Sequence, residues 1–158
     1  MTSSTVAHHQ TRHFRFDRED GDEESRGEDQ YQDRVRREVR NFEPSKTDIE
    51  NIFSFTRHGR IAEVDDLLSR GVSADVRDDN GNSILAVACQ NNDKRVAKLA
   101  LRKGANINSS NLVGNTALHF CYKYGHIELA KYLISKGADK TLKNLDDETC
   151  ESFRQLNL

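Results

Sequence analysis

Residues 114–139 read GNTALHFCYKYGHIELAKYLISKGAD. Two short apolar runs, one through Ala117, Leu118 and Phe120 and one through Ile127, Leu129, Leu133 and Ile134, flank Gly125 and close on Gly137-Ala138. Shifted by 33 residues, the stretch meets its own outline. Gly71, Gly104 and Gly137 are each followed by a small or apolar residue (Val72, Ala105, Ala138), and each closes a run ending in Leu68, Leu101 or Ile134. The same step relates Gly81 to Gly114, Leu85 to Leu118, Ser83 to Thr116 to Thr149, and Gly59 to Asn92 to Gly125. Two apolar stretches per unit around a Gly-containing turn, at a period of this length, predict helix-turn-helix units stacked into an all-α solenoid.

Residues 111–143 resemble the ankyrin repeat in Gly114-Asn115-Thr116-Ala117-Leu118-His119 and in the run from Tyr124 to Asp139. Thr116, Ala117, Leu118 and His119 stand where the family has Thr-Pro-Leu-His, and the proline is missing. Residues 78–110 follow more loosely as Gly81-Asn82-Ser83-Ile84-Leu85-Ala86, with Asn92 at the inter-helix glycine, and 45–77 keep mainly the second half, Gly59-Arg60 through Gly71. The resemblance implies an ankyrin domain over 45–158, in repeats 45–77, 78–110 and 111–143 and a C-terminal half repeat 144–158. It also gives His119 a structural role, holding the turn and helix start. Asn92 is expected in the left-handed region, which asparagine tolerates better than other non-glycine residues. The last unit departs from the pattern: Glu151 and Arg154 replace apolar or small residues, so Cys150, Phe153 and Leu156 are expected to form its buried face.

The first 44 residues lie outside the resemblance. Over 1–28 the composition is polar, and Asp17 to Asp29 holds no apolar residue; such a segment cannot bury enough surface to offset its ordering entropy and is expected to be disordered. Within it, His8, His9 and His13 read as solvated residues, and Ser25 in its acidic setting as a weak kinase signal. From Asp29 to Phe42, Tyr31, Val35, Val39 and Phe42 recur at helical spacing with Arg34, Arg36, Arg37 and Arg40 elsewhere on the wheel, so 29–44 is expected to be an amphipathic helix and linker ended by Pro44. Three readings of that stretch stay open: a cap on the first repeat, an arginine-rich partner-binding or microtubule-directed helix that folds on contact, or disorder.

Charge and composition narrow the function. Residues 1–45 carry 8 Arg and no Lys against 11 acidic residues, and 46–158 carry 16 basic against 15 acidic, so neither part is a nucleic-acid footprint. No apolar run approaches the roughly 20 residues of a membrane span, and the first residues lack the apolar core of a signal peptide. Cys89, Cys121 and Cys150 fall inside repeat helices without Cys-x-x-Cys spacing, which points to packed free thiols in a reducing compartment. Asn108-Ser109-Ser110 spells a glycosylation acceptor that such a compartment would leave unused. There is no nucleotide loop, metal cluster or nucleophile-base pair, so no enzyme, cofactor or metal is expected.

The expectation is a non-catalytic protein-binding module, an adaptor or assembly component, in the cytoplasm. The alternatives are a structural subunit of a large complex such as a ciliary axoneme, an association coloured by a faint similarity to short ankyrin proteins of flagellated protists and algae, and a regulatory subunit or inhibitor of an enzyme. In the family, recognition uses turn tips and the concave face of the first helices. Here the corresponding candidates are Arg57 and His58; Gln90 and Asn91; Leu112, Val113, Asn115, Lys123 and Tyr124; and Leu145. Lys46, Asp79, Asn80, Asn82, Asp146 and Glu148 occupy further equivalent places. Leu112, Val113, Tyr124 and Leu145 stand out, because apolar side chains left in water at a tip are unfavourable and aromatic anchors carry interface energy. Against this, Leu112 and Val113 could simply pack on the neighbouring turn.

Overall fold

The computed structural model describes residues 30–34 and 42–157. The tail over 1–28 and most of the helix expected over 29–42 lie outside the described residues. Residues 30–34 are helical and exposed, with the Arg34 guanidinium 5.8 Å from the Tyr31 ring centroid. Phe42 through Ser45 are not helical, so the expected helix does not extend to Phe42. Pro44 disfavours helix at the residue before it, and the Phe42 ring lies against Gly71, with the Arg70 guanidinium 5.4 Å from its centroid.

Among the described residues from Phe42 on, six α-helices follow in three pairs: α1 (Lys46–Arg57) and α2 (Ile61–Arg70), α3 (Ile84–Gln90) and α4 (Lys94–Arg102), α5 (Ala117–Lys123) and α6 (Ile127–Ser135). A 3-10 helix, Cys150–Asn157, ends the stack. The inner helices pack in chain order, α1 on α3, α3 on α5 and α5 on the 3-10 helix, while α2 packs on α4 in the outer row.

Local sequence sets each boundary. Ser45 and Asp48 form a reciprocal capping box at the start of α1. Ser83 Oγ accepts from Ala86 N–H at 3.2 Å at the start of α3, and Asp93 Oδ1 accepts from Arg95 and Val96 at that of α4. Asn92 adopts φ +54, as its place in the glycine column requires. Asp147 adopts φ +62 and stands 33 residues after Gly114, a second non-glycine residue in the left-handed region, in the column of Gly81 and Gly114.

The short inner helices are stable only because the stack covers them. Ile84 to Cys89 of α3 are all buried, and Ala86, Ala88, Ala97, Ala100, Ala117 and Ala130 let neighbouring helices approach closely. Ile52, Phe53, Val64, Leu67, Leu85, Val96, Leu99, Leu118, Leu129 and Leu133 fill one continuous core. Leu101 and Phe55, expected inside, are only partly buried at its margin. Cys150 is buried in the last unit and Phe153 half-buried, its ring edge-on to His119 at 6.0 Å; the Leu156 side chain is outside the described residues.

Candidate functional site

Three turns of one design project from the ends of the inner helices. In the first, Asp78 Oδ1 accepts from the N–H groups of Asn80 and Asn82 at 3.0 and 2.9 Å. Asn111 Oδ1 does the same for Val113 and Asn115 at 3.1 and 2.9 Å, and Asn144 Oδ1 for Asp146 and Glu148 at 3.0 Å each. Isolated antiparallel bridges close each hairpin, Arg77 with Ser83, Ser110 with Thr116 and Lys143 with Thr149. A short polar side chain that takes two backbone donors fixes a turn without help from a core.

The hairpins are also bonded to one another. Leu112 N–H donates to Asn80 O at 3.2 Å and Leu145 N–H to Val113 O at 3.0 Å. Alongside, Asn111 Nδ2 donates to Asn82 Oδ1 at 2.9 Å and Asn144 Nδ2 to Asn115 Oδ1 at 3.0 Å. The Arg77 guanidinium reaches the carbonyl of Ser110 and the hydroxyl of Ser109. A Cβ on Gly114 would sit 2.9 Å from Asn144 Cα and Leu145 N, so only glycine allows the second and third hairpins this close.

This rigid ladder carries the apolar tip. Leu112, Val113 and Leu145 are 70%, 51% and 76% exposed, although their backbones are held. Packing against the neighbouring turn therefore does not hide them. Leu112 and Leu145 occupy the same place on adjacent hairpins, where the first hairpin has Asp79. Tyr124 follows the other end of α5, roughly 10 Å along a helix of this length; it is 51% exposed, and stacks on Phe120 and His126 at centroid distances of 6.5 and 6.1 Å. Lys123 places its ammonium 5.9 Å from the same ring.

The remaining candidates line the C-terminal ends of the inner helices and are partly occupied within the stack. Arg57 donates to Asp78 Oδ2 at 3.1 Å, while its carbonyl accepts from Asn91 Nδ2 at 3.3 Å. The Gln90 carbonyl lies 3.2 Å from His126 Nε2, and His58 Nδ1 lies 2.7 Å from Ser54 O. Asn82 and Asn115 are held by the amide ladder. That role could have been suspected from amide residues recurring 33 apart, but which amide meets which depends on how units stack.

Among the described residues, no hairpin precedes the first helix pair. Among the described residues, Asp79 N–H therefore lacks the carbonyl that Leu112 and Leu145 each find on the preceding turn. A cavity of about 560 Å³ occupies that place, between Lys46, Glu50 and Phe53 of α1 and Asp78 to Asn80.

His119 is 1% exposed. Its Nδ1 accepts from Thr116 N–H at 3.1 Å and sits 2.9 Å from the Thr116 hydroxyl, which leaves the proton on Nε2, 3.2 Å from Glu148 O. The imidazole thus ties the start of α5 to the last hairpin, extending its expected local role. Burial holds its pKa below the usual histidine value. The three thiols are buried and free. A hydrogen bond with Cys121, and then burial, push the Cys89 thiol up, and burial pushes Cys150 up to about 11, so neither supplies a thiolate at neutral pH. Asn108 of the acceptor sequence accepts from Asp139 N–H at 2.8 Å through its side chain. Among the described residues no three His, Cys, Asp or Glu side chains are grouped to hold a metal, and no helix is long and apolar enough to cross a membrane.

The geometry agrees with what the chain resembles among known proteins. A family model described as ankyrin repeats, three copies, matches residues 54–144. Mouse B-cell lymphoma 3 protein homolog is 38% identical over 84 residues, covering 52% of this chain and 19% of that protein. Human SH3 and multiple ankyrin repeat domains protein 2 is 32% identical over 83 residues, 52% of this chain and 4% of that protein. Mouse protein phosphatase 1 regulatory subunit 27 is 32% identical over 93 residues, 58% of this chain and 60% of that protein. The chain thus spans only a small part of the first two relatives and less than two thirds of the third. With the family model matching more than half of its length and the helix pairs stacked at a fixed step, the chain belongs to the ankyrin-repeat family.

Proposed function

We propose that this chain is a non-catalytic adaptor or assembly component that grips a protein partner with the tips of its second and third hairpins and the far, C-terminal end of α5. The observation that carries the reading is the exposure of Leu112 and Leu145, 70% and 76%, on turns rigidly bonded to each other. A preorganised apolar pair loses little conformational entropy on binding, so its burial converts efficiently into affinity. Val113 widens the patch, and Tyr124 with Lys123 supplies an aromatic anchor and a charge beyond it. Arg57, His58, Gln90 and Asn91 form the polar margin. The test is a quantitative pull-down from cell extract with the full chain and with an L112E/V113E/L145E variant shown to be folded by circular dichroism. Selective loss of one set of proteins in the variant supports the reading, and retention of every captured protein rejects it.

A second reading, that the partner is an enzyme whose activity this chain alters, is favoured by the similarity to a phosphatase regulatory subunit. Its check is the activity of any co-purifying enzyme before and after the chain is removed.

A further inference from the structure

A second surface, away from the tips, has different chemistry. In the outer row, α4 and α6 leave between them a groove of about 410 Å³. Its floor is apolar, made by Leu101, Ala105, Ile107 and the ring of Tyr132. Its rim is cationic: the ammonium groups of Lys94, Lys98 and Lys136 lie 5.4, 5.5 and 5.8 Å from the Tyr132 centroid, and Arg102 also lines the groove.

Like charges gathered on one ring repel, and the ring face offsets only part of that cost at an exposed site. Elsewhere the chain avoids the problem. Lys46, Lys103, Lys131, Lys140 and Lys143 each stand beside a carboxylate, of Glu50, Asp65, Glu128, Glu151 and Asp147 respectively. Lys94, Lys98, Arg102 and Lys136 form no ion pair among the described residues. Two carboxylates that feel these cations are already engaged: Glu128, within the field of Lys94, is held by Lys131 at 2.9 Å, and Asp65, within that of Arg102, by Lys103 at 3.0 Å. Arg95, beside them on α4, is 3.9 Å from Asp93.

We propose that this groove docks an acidic peptide segment of a partner protein, in which carboxylates flank an aliphatic side chain. The carboxylates meet the four cations, and the aliphatic side chain covers the Leu101, Ile107 and Tyr132 floor. A free inorganic anion would make no use of that floor. A nucleic-acid backbone would call for cations running along a face rather than gathered around one ring. The site is independent of the hairpin tips, and the tip proposal stands or falls without it.

The test uses the full chain and fluorescence anisotropy of a labelled peptide in which Glu alternates with Leu, beside a Lys/Leu peptide, a Glu/Gly peptide and an RNA oligonucleotide of matching charge. The Glu/Leu peptide binds best, and raising salt several-fold above physiological strength, where the screening length shortens well below ~8 Å, releases it. K98E/K136E weakens binding at least about tenfold and K98A/K136A by less, since reversal adds repulsion to the lost attraction. These side chains are exposed, and circular dichroism checks that the variants fold. L112E/V113E binds the peptide as the parent does. The proposal is overturned by Glu/Leu binding that survives K98E/K136E or is lost in L112E/V113E, by equal binding of the Lys/Leu or Glu/Gly peptide, by preference for the RNA, or by no peptide binding up to about a millimolar.

Discussion

The second and third hairpins and the first helix pair solve the same problem with different residues. Between the second and third hairpins, a backbone bond from Leu145 to Val113 and an amide bond from Asn144 to Asn115 close the joint. Between α1 and the first hairpin there is no such pair among the described residues; Arg57 reaches Asp78 instead, and a cavity of about 560 Å³ stands beside it. The polar ladder is therefore doubled inside the stack, whereas the N-terminal joint relies on core packing of α1 on α3, the Arg57–Asp78 pair, the Asn91-to-Arg57 bond and the Lys103–Asp65 pair. Stability in a solenoid is close to a sum of neighbour interfaces, so the N-terminal joint should open first.

The largest effect that sharpens this contrast is in the core of the inner unit. Leu118→Ala empties a fully buried site in α5 and should cost about 3 kcal/mol, read as a lower denaturation midpoint with unchanged slope. Next is the ladder itself. Asn111→Ala removes the acceptor of two turn N–H groups and the donor to Asn82, at a cost of about 2 kcal/mol, whereas Arg57→Ala at the exposed joint should cost at most about 1 kcal/mol. Equal costs would break the comparison.

His119 gives the contrast a pH dependence. Its folded pKa lies below the unfolded value of 6.5, so the unfolded chain takes up the proton first as pH falls. Its contribution to stability is complete above that value, declines as pH drops through it, and levels off below the folded pKa. His119→Asn should be less stable at neutral pH, and its urea midpoint should fall less between pH 7 and 5 in ~1-unit steps. The smallest effect is at Asp147, where Gly relieves a left-handed aspartate but forfeits its exposed contact with Lys143, at 2.9 Å; a net gain of about 0.5 kcal/mol is expected by thermal melting.

Much of the architecture was legible because glycines, caps and helix cores lie within one unit and repeat with it. Gly71, Asn92 and Ser83 announce their roles through local backbone demands that no neighbour can change. The Asn111-to-Asn82 and Asn144-to-Asn115 bonds were not legible, since each joins residues of different units. Asp147 could be placed by its step from Gly81 and Gly114, but its residue type alone does not announce the left-handed region, which aspartate enters only when its turn compels it. At the candidate site, the apolar residues at the tips could be named from their place in the repeat, but their exposure follows from how the hairpins align. The ring of lysines around Tyr132 escaped notice because Lys94 and Lys98 come from one helix pair and Lys136 follows the next.

The most direct test of the central claim compares the proteins captured by the parent chain with those captured by L112E/V113E/L145E and by R57A, each quantified by mass spectrometry. The apolar tips are predicted to carry the interface and Arg57, in its polar margin, to add little, so one set of partners should fall by about tenfold or more in the tip variant and by only about twofold or less with R57A. Partners that persist undiminished when all three tip residues are charged would contradict the account.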